Sequence, residues 1–407
     1  MKIINLTLTQ YKNYAAIHSY KNFGQTLEYA RLSSNSKLDK YFLGLIDDNE
    51  IIHAATCILV KNISPIYKEA IAKDGFLIDY NDYSLVETFI NELKIYLKKL
   101  RITCLLTDPV FKYKVYNKKY KLIENNENML DAFIKLDFKN NGFHNDFAKY
   151  DVVIENYTCL SDIYNSFNRN TKRNIKDAKD LGVTLHKGSI KDIDSFYEMV
   201  KKKKNLNIDY YKDMMNAYNT NENKMEIFFT KLDLNKFLIN SKKKYEKALK
   251  ENSKIQEKLF KKGNNTDNKL YNKKKNSDAL VNKWHETLEL ATKMNLEGIS
   301  EITIGTTAII RNNNEVYFLI DGYNDKYRNI HSSHILKWAI IKKYYEKGCN
   351  KFNLGEVHNM YFSKDNKYHN QYMYKIGFGG NVIEYPPEMK LIINKLAYTT
   401  HEKLNKK

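Results

Sequence analysis

Apolar and polar positions fall in the same order in two separate stretches of this chain. In the first, residues 41–47 and 51–60 are apolar and rich in β-formers, on either side of the polar turn Asp48-Asn49-Glu50, which predicts a hairpin. An extended piece over 75–79 follows. A helical period over 84–100 then sets Val86, Phe89, Ile90, Leu93 and Leu97 on one face. A strand over 102–107 ends at Asp108-Pro109, because proline cannot donate to a sheet ladder. The second stretch has 301–310, the turn Asn312-Asn313-Asn314, and 316–320. A helix over 333–347 comes next, with Ile335, Trp338, Ala339, Ile341 and Tyr345 inward, Gly348 as its C-terminal cap, and 351–354 as the closing strand. Hairpin, crossover helix and strand, twice over, predict two related α/β domains, each a mixed sheet with packed helices.

The segment between them has a different rhythm. From 236 to 262 the chain is rich in Lys and Glu, and Leu238, Tyr245, Ala248, Ile255 and Leu259 follow an alternating three-four spacing. Polar residues interrupt at 263–268, and Leu270, Val281, Trp284, Leu288 and Ala291 form a second run. Two such seams predict an antiparallel helical hairpin with arms of roughly 40 Å. Ser241, Asn252, Lys274 and Ser277 also occupy seam positions, so the seam is thin. The resulting division is a first domain over 1–150, a second over 151–235 and 298–407, and an inserted arm over 236–297.

Composition narrows the classes. A chain of 407 residues exceeds one ordinary core, and 43% apolar residues suffice to build two. No stretch approaches the ~18 uninterrupted apolar residues of a membrane span, and Asn5, Thr7, Thr9 and Gln10 break any apolar run near the start. These features lead us to expect a cytoplasmic protein. Cys57, Cys104, Cys159 and Cys349 lie too far apart for a metal-ligand motif and read as small core residues. A net charge of +19 favours anionic partners, such as RNA, anionic lipid or phosphorylated precursors. Abundant Lys, Asn, Ile and Tyr, the residues of AT-rich codons, account for part of that charge.

Residues 164–182 read YNSFNRNTKRNIKDAKDLG, with Phe167, Thr171, Ile175, Ala178 and Leu181 on one helical face. Arg169, Lys172, Arg173, Lys176 and Lys179 make a basic stripe over much of the rest, a pattern that alone is usually a solvated face. The run from Arg173 to Gly182-Val183 nevertheless resembles the R-N-I-x-x-A-x-x-x-G-V signature of the Fem family of non-ribosomal peptidyltransferases. Gly24-Gln25-Thr26-Leu27-Glu28-Tyr29-Ala30 resembles that family's G-Q-T-x-E-W-A element, and Thr107-Asp108-Pro109 its D-P strand end. Lys73-Asp74-Gly75 through Asp79-Tyr80, and Phe196-Tyr197-Glu198 through Tyr210-Tyr211, also match in order. Lys375-Ile376-Gly377-Phe378-Gly379-Gly380 with Glu384-Tyr385 resembles its K-x-G-F-G-G-x-x-x-E-Y ending. The likeness spans nearly the whole chain.

The resemblance implies two acetyltransferase-like domains with a helical coiled-coil arm inserted in the second. It also implies transfer of an aminoacyl group from tRNA to an amine of a peptidoglycan stem peptide, in interpeptide bridge formation. Aminoacyl-tRNA would then be the co-substrate, with no further cofactor, and the arm would help to hold it. The acceptor would be a lipid-linked or UDP-linked muropeptide, and a lipid-linked one would bring the basic surface to the inner membrane face. DNA is not an expected partner. An activated ester attacked by an amine needs positioning, an oxyanion donor and a proton for the leaving ribose oxygen, with no covalent enzyme intermediate. No Ser-His-acid or Cys-His set stands out.

Lys375 is the first candidate for the catalytic group, beside glycines that permit close backbone approach. Asp108, at a strand end, and Glu388 are the acid/base candidates. Arg169, Arg173, Lys204, Tyr211, Phe378, Gly379 and Glu384 are the substrate-binding candidates. His331 and His334 lack a third ligand, so no metal is assigned. The chain departs from the family where Tyr29 stands for Trp, Phe76 follows Gly75 instead of Pro, and lysines at 201–204 replace an arginine. These departures bear on precursor diphosphate contacts. An acyl-CoA-dependent N-acetyltransferase would need a glycine-rich turn into a helix, yet the loop at 322–331 has one glycine and 107–113 has none. A non-enzymatic RNA-binding protein would leave the Lys375–Gly380 motif and the repeated domain unexplained.

Overall fold

The structure, a computed structural model, describes residues 1–32, 38–142, 150–204, 206–262, 268–357 and 368–405. The first repeat opens with β1 (Lys2–Asn5), β2 (Asp39–Ile46), β3 (Ile52–Ser64) and β4 (Tyr67–Ala72), each antiparallel to the one before. The helix Tyr83–Lys99 crosses over to β5 (Cys104–Thr107), which lies parallel to β4. Four short strands follow: β6 (Lys114–Tyr116), β7 (Leu122–Asn125), β8 (Phe138–Asn140) and β9 (Tyr150–Ile154).

The second repeat has the same plan. β10 (Val183–Lys187), β11 (Asn223–Asp233), β12 (Glu301–Asn312) and β13 (Glu315–Tyr323) are successively antiparallel. The helix Ser332–Tyr345 crosses over to β14 (Lys351–Glu356), parallel to β13. β15 (Asn381–Glu384) and β16 (Met389–Ile392) complete the strands. Repeat for repeat, β1 to β5 correspond to β10 to β14. The fold is therefore the expected pair of acetyltransferase-like α/β domains.

The pairing corrects the sequence reading in two respects. The first crossover is fed by β4, which the apolar pattern did not single out, while 75–79 is mostly irregular, joined to β3 by a single bridge between Ala55 and Leu77. The two sheets also exchange strands. The seven-stranded sheet runs β1-β2-β3-β4-β5-β16-β8, and the nine-stranded sheet runs β10-β11-β12-β13-β14-β9-β15-β6-β7. A cut of the chain at residue 150 thus does not separate the sheets.

Burial follows the patterns. Val86, Phe89, Ile90, Leu93 and Leu97 are all buried in the core of the first sheet. The crossover helix of the second repeat buries Leu336, Lys337, Ile340, Ile341 and Tyr344, one position out of phase with much of the expected face. This shift brings a lysine inward. Gly348 takes φ 88° just past that helix, as a left-handed cap requires.

The arm consists of helices Leu234–Lys262 and Asn268–Leu296, each 29 residues long, or about 43 Å. Its base buries Ala248, Trp284, Ala291 and Met294, whereas Phe260 and Tyr271 farther out are exposed. Asn252 bridges the seam by donating to Ser277 Oγ and Asp278 Oδ1. Asp177, on the basic helix Arg169–Asp180, pairs with Lys244 of one arm helix at 2.8 Å and Lys283 of the other at 3.3 Å. Among the described residues, no helix is long and apolar enough to cross a membrane.

Candidate functional site

Each parallel strand pair has a lysine near its C-terminal end, half-buried in the first domain and buried in the second. In the first domain the chain leaves β4 through Lys73-Asp74-Gly75, with Asp74 at φ 59° and Gly75 at φ 79°. A side chain at Gly75 would meet Tyr80 Oη and Pro109 Cα, so the backbone is pressed onto the end of β5. There Asp108 Oδ2 accepts from Lys73 Nζ at 2.7 Å, and Oδ1 accepts from Asp74 N at 2.6 Å. With both oxygens engaged, Asp108 acts as a brace for Lys73. Burial raises the Asp108 carboxyl, and the Lys73 ammonium opposes that rise. Burial alone would lower the Lys73 pKa, but Asp74 and Asp108 outweigh it and raise it, so the lysine keeps its charge. Tyr29 lies in this field: burial pushes its hydroxyl up, and Lys73, Asp74, Asp108 and Tyr210 all act on it.

In the second domain β13 and β14 pair only from Glu315/Lys351 to Tyr317/Asn353. Beyond that they run on to Tyr323 and Glu356 without pairing to each other, which opens the sheet. Lys375, from the helix His369–Ile376, enters here and donates to Glu356 O at 2.6 Å. Gly355 makes room for it: at φ 81°, its missing Cβ would stand 3.3 Å from Lys375 Nζ and 3.1 Å from Phe318 O. Lys375 is only 9% exposed. Burial, with the nearby Lys337 cation, lowers its pKa to about 8. Asp151, half-buried and accepting from Asn353 Nδ2, is pushed up to about 6 by desolvation, against the pull of Asn353 and Lys375.

Two tyrosines connect these openings. Tyr317 of β13 and Tyr385, just past β15, both have hydroxyls raised chiefly by burial. Asp74 of the first site and Asp151 of the second act on both. Charges of both openings thus act on the same two tyrosine hydroxyls.

The other candidates are placed as follows. Phe378 is fully buried against Phe167, Tyr374 and His334, so it packs the core. Gly379, at φ 79°, lies against Ser166, and its carbonyl accepts from Tyr157. Tyr211 is buried against Phe196; its neighbour Tyr210, half-buried, is the one that acts on Tyr29. Glu384 accepts from Tyr116 at 2.9 Å where β15 pairs with β6. Glu388 accepts from Asn141 and ties β16 to the end of β8. These contacts give Phe378, Gly379, Tyr211, Glu384 and Glu388 structural work. Arg169, Arg173 and Lys204 are exposed. Lys203, next to Lys204, is the residue that senses Asp321 and Lys337, and its ammonium lies 4.4 Å from the Tyr323 ring centroid. His334 is half-buried and lies 3.2 Å from Asn174 Nδ2, and among the described residues no cluster suits a metal.

Lys337, Asp321, Asp151, Gly355 and Tyr210 were not legible as site residues from the sequence. A correct phase for the second crossover helix would have exposed Lys337.

Comparison with known proteins agrees with this fold. The FemAB family model matches residues 6–406. Aminoacyltransferase FemA of Staphylococcus epidermidis is 27% identical over 429 aligned positions, covering 100% of this chain and 99% of that protein. Aminoacyltransferase FemA of Staphylococcus aureus is 25% identical, with the same coverage of 100% and 99%. The crystal structure of FemX superposes with a TM-score of 0.72 at 16% identity, covering 98% of this chain and 99% of that one. With two repeats, an inserted arm and a family match across nearly its full length, the chain belongs to the FemAB family.

Proposed function

We propose that this protein moves an aminoacyl group from tRNA to an amine on the stem peptide of a peptidoglycan precursor, building an interpeptide bridge. As a FemAB member with aminoacyltransferase relatives along its whole length, it is an aminoacyltransferase. The observation that carries the reading is the pair of linked openings, with Lys73 braced by Asp108 in one and Lys375 beside Gly355 in the other. Two substrates that must meet call for two sites facing one junction.

The acceptor peptide is assigned to the first opening, where Lys73, Tyr29 and Tyr210 offer one cation and two phenols. The acyl donor is assigned to the second. There the Lys375 ammonium would steady the oxyanion of the tetrahedral intermediate and supply the proton that the leaving ribose oxygen needs. The acceptor amine attacks the ester carbonyl, the carbon–oxygen bond to ribose breaks, and the proton shed by nitrogen replaces the one given by Lys375. Arg169 and Arg173 present fork-shaped donors suited to RNA phosphates, and Lys204 a cation suited to the precursor diphosphate. The arm, docked on the basic helix through Asp177, would hold the tRNA body. Glycine, alanine and serine are the candidate aminoacyl groups. A lipid-linked acceptor would bring the enzyme to the inner membrane face; a UDP-linked one would not.

A transfer assay tests this reading. Total bacterial tRNA charged with labelled glycine, alanine or serine is offered with lipid-linked or UDP-linked pentapeptide precursor. Label reaching either acceptor, and lost after ribonuclease treatment of the donor, supports it. Folded protein that moves no label in any combination overturns it.

A further inference from the structure

Lys337 is the least expected charge in the molecule. It lies on the second crossover helix, is only 1% exposed, and rests 4.2 Å from the Phe318 ring centroid. A buried ammonium persists only with a partner. Its partner is Asp321 Oδ2 on β13, at 2.7 Å, while Thr307 donates to Asp321 Oδ1 at 2.7 Å and fixes the carboxylate. Burial would raise the Asp321 carboxyl, but Lys337 and Thr307 outweigh it and hold it below the ordinary carboxylate range. Phe318, whose ring lies under the Lys337 ammonium, sets its carbonyl 3.1 Å from the place a Cβ would take at Gly355, a place 3.3 Å from Lys375 Nζ. Lys337 Nζ also lies 5.8 Å from the ring of Tyr374, the residue before Lys375, and both Lys337 and Asp321 act electrostatically on Lys375.

We propose that Lys337 and Asp321 are positioning residues for Lys375: a buried cation and its carboxylate, set so that the Lys375 ammonium releases its proton to the departing ribose oxygen. The inference rests on the function proposed above. The two members act in opposite senses. Lys337 repels a second positive charge and so favours proton release; Asp321 attracts that charge and keeps the release from going too far. Asp151 from β9 and Glu356 from β14 also act on Lys375. Lys203 faces Asp321 and Lys337 from beyond the helix Ile193–Val200. His334, a turn before Lys337, is pushed down to about 3 by burial and by its neighbours His331 and Lys337, and so carries no charge near neutrality.

The opposed signs make a test that a merely structural pair would fail. The ionisation of Lys375 in the full-length protein is followed by trace reductive methylation across pH, with the modified peptide quantified by mass spectrometry. In parallel, the transfer rate is recorded over the same pH range. In the wild type both midpoints are expected near pH 8, with transfer falling as pH rises because the ammonium form is the proton donor. Lys337→Met removes the repelling charge, so the midpoint moves alkaline. Asp321→Asn removes the attracting charge, so it moves acid, each by roughly one pH unit or more. Lys337→Arg keeps the charge and returns the midpoint toward the wild-type value. Midpoints that stay together in all four proteins, or move in the same direction in Lys337→Met and Asp321→Asn, overturn the proposal. Should a substitution unfold the protein, judged by circular dichroism, Lys337→Arg and Asp321→Glu carry the comparison, and unequal midpoints in charge-conserving variants count against it. Methylation reads the charge arrangement without transfer, so a wild type that transfers nothing refutes the proposed function alone.

Discussion

Lys73 Nζ and Asp108 Oδ2 lie 2.7 Å apart, joining the end of one strand to the end of its parallel neighbour. The contact ties the turn after β4 to the strand end at β5 and aims a charged lysine at the opening. Asp108→Asn keeps the shape and removes the charge. Since hydrogen bonds to charged groups contribute about 1.5–3 kcal/mol, we expect kcat/KM for the acceptor to fall roughly ten- to a hundredfold, mostly through KM. Initial rates against acceptor concentration check this; an unchanged kcat/KM would remove the pair from the acceptor site.

Gly355 and Gly348 form a natural control for each other. Both take left-handed backbone, at φ 81° and φ 88°, but a side chain meets Lys375 Nζ and Phe318 O at the first and nothing within 4 Å at the second. Alanine at either costs about 1–2 kcal/mol of backbone strain. Gly355→Ala is expected to lower kcat at least tenfold by displacing Lys375, whereas Gly348→Ala lowers Tm and leaves kcat in place. Equal kcat in the two variants contradicts the site.

Asp177 is the joint between the arm and the basic helix. Burial would raise its carboxyl, but Lys244 and Lys283 outweigh it and hold it below the ordinary range. A depressed carboxylate stabilises above its unfolded pKa of about 4, and that contribution disappears as pH falls through the folded value. Hydrogen exchange at the arm base should therefore quicken in acid. Asp177→Asn should show the same faster exchange at neutral pH, with Tm lower by roughly 2–4 °C. Unaltered exchange in the variant would mean that the joint is held by packing alone.

Phe378 separates a packing role from a binding one. Phe378→Ala should cost about 3–5 kcal/mol of stability, seen as a lower Tm. Phe378→Leu should recover most of that loss with little change in KM. A large KM change at wild-type Tm would return this residue to the substrate site.

Local patterns in the chain were enough to read the first crossover helix, the basic helix and the arm, because their apolar residues recur with a helical period. Phe167, Thr171, Ile175, Ala178 and Leu181 are all buried, as that period requires. Strand exchange was not readable: β6, β7 and β16 have three or four residues each, and their partners are fixed by tertiary packing far along the chain. β4 escaped notice because Lys68 and Glu69 interrupt its apolar run. In the site, Asp108 and Lys375 were readable as strand-end and glycine-flanked residues. Tyr210 and Lys337 were not, since a single step of helical phase decides which of two neighbours packs into the core and which faces elsewhere.

The most direct measurement of the central claim is single-turnover transfer from labelled aminoacyl-tRNA to precursor by the wild type and by Lys375→Met, with acceptor binding measured on both. The account predicts transfer by the wild type, lost when the tRNA is digested first. It also predicts a rate about a hundredfold or more lower in the variant, at unchanged acceptor affinity. Equal rates in the two proteins would contradict it.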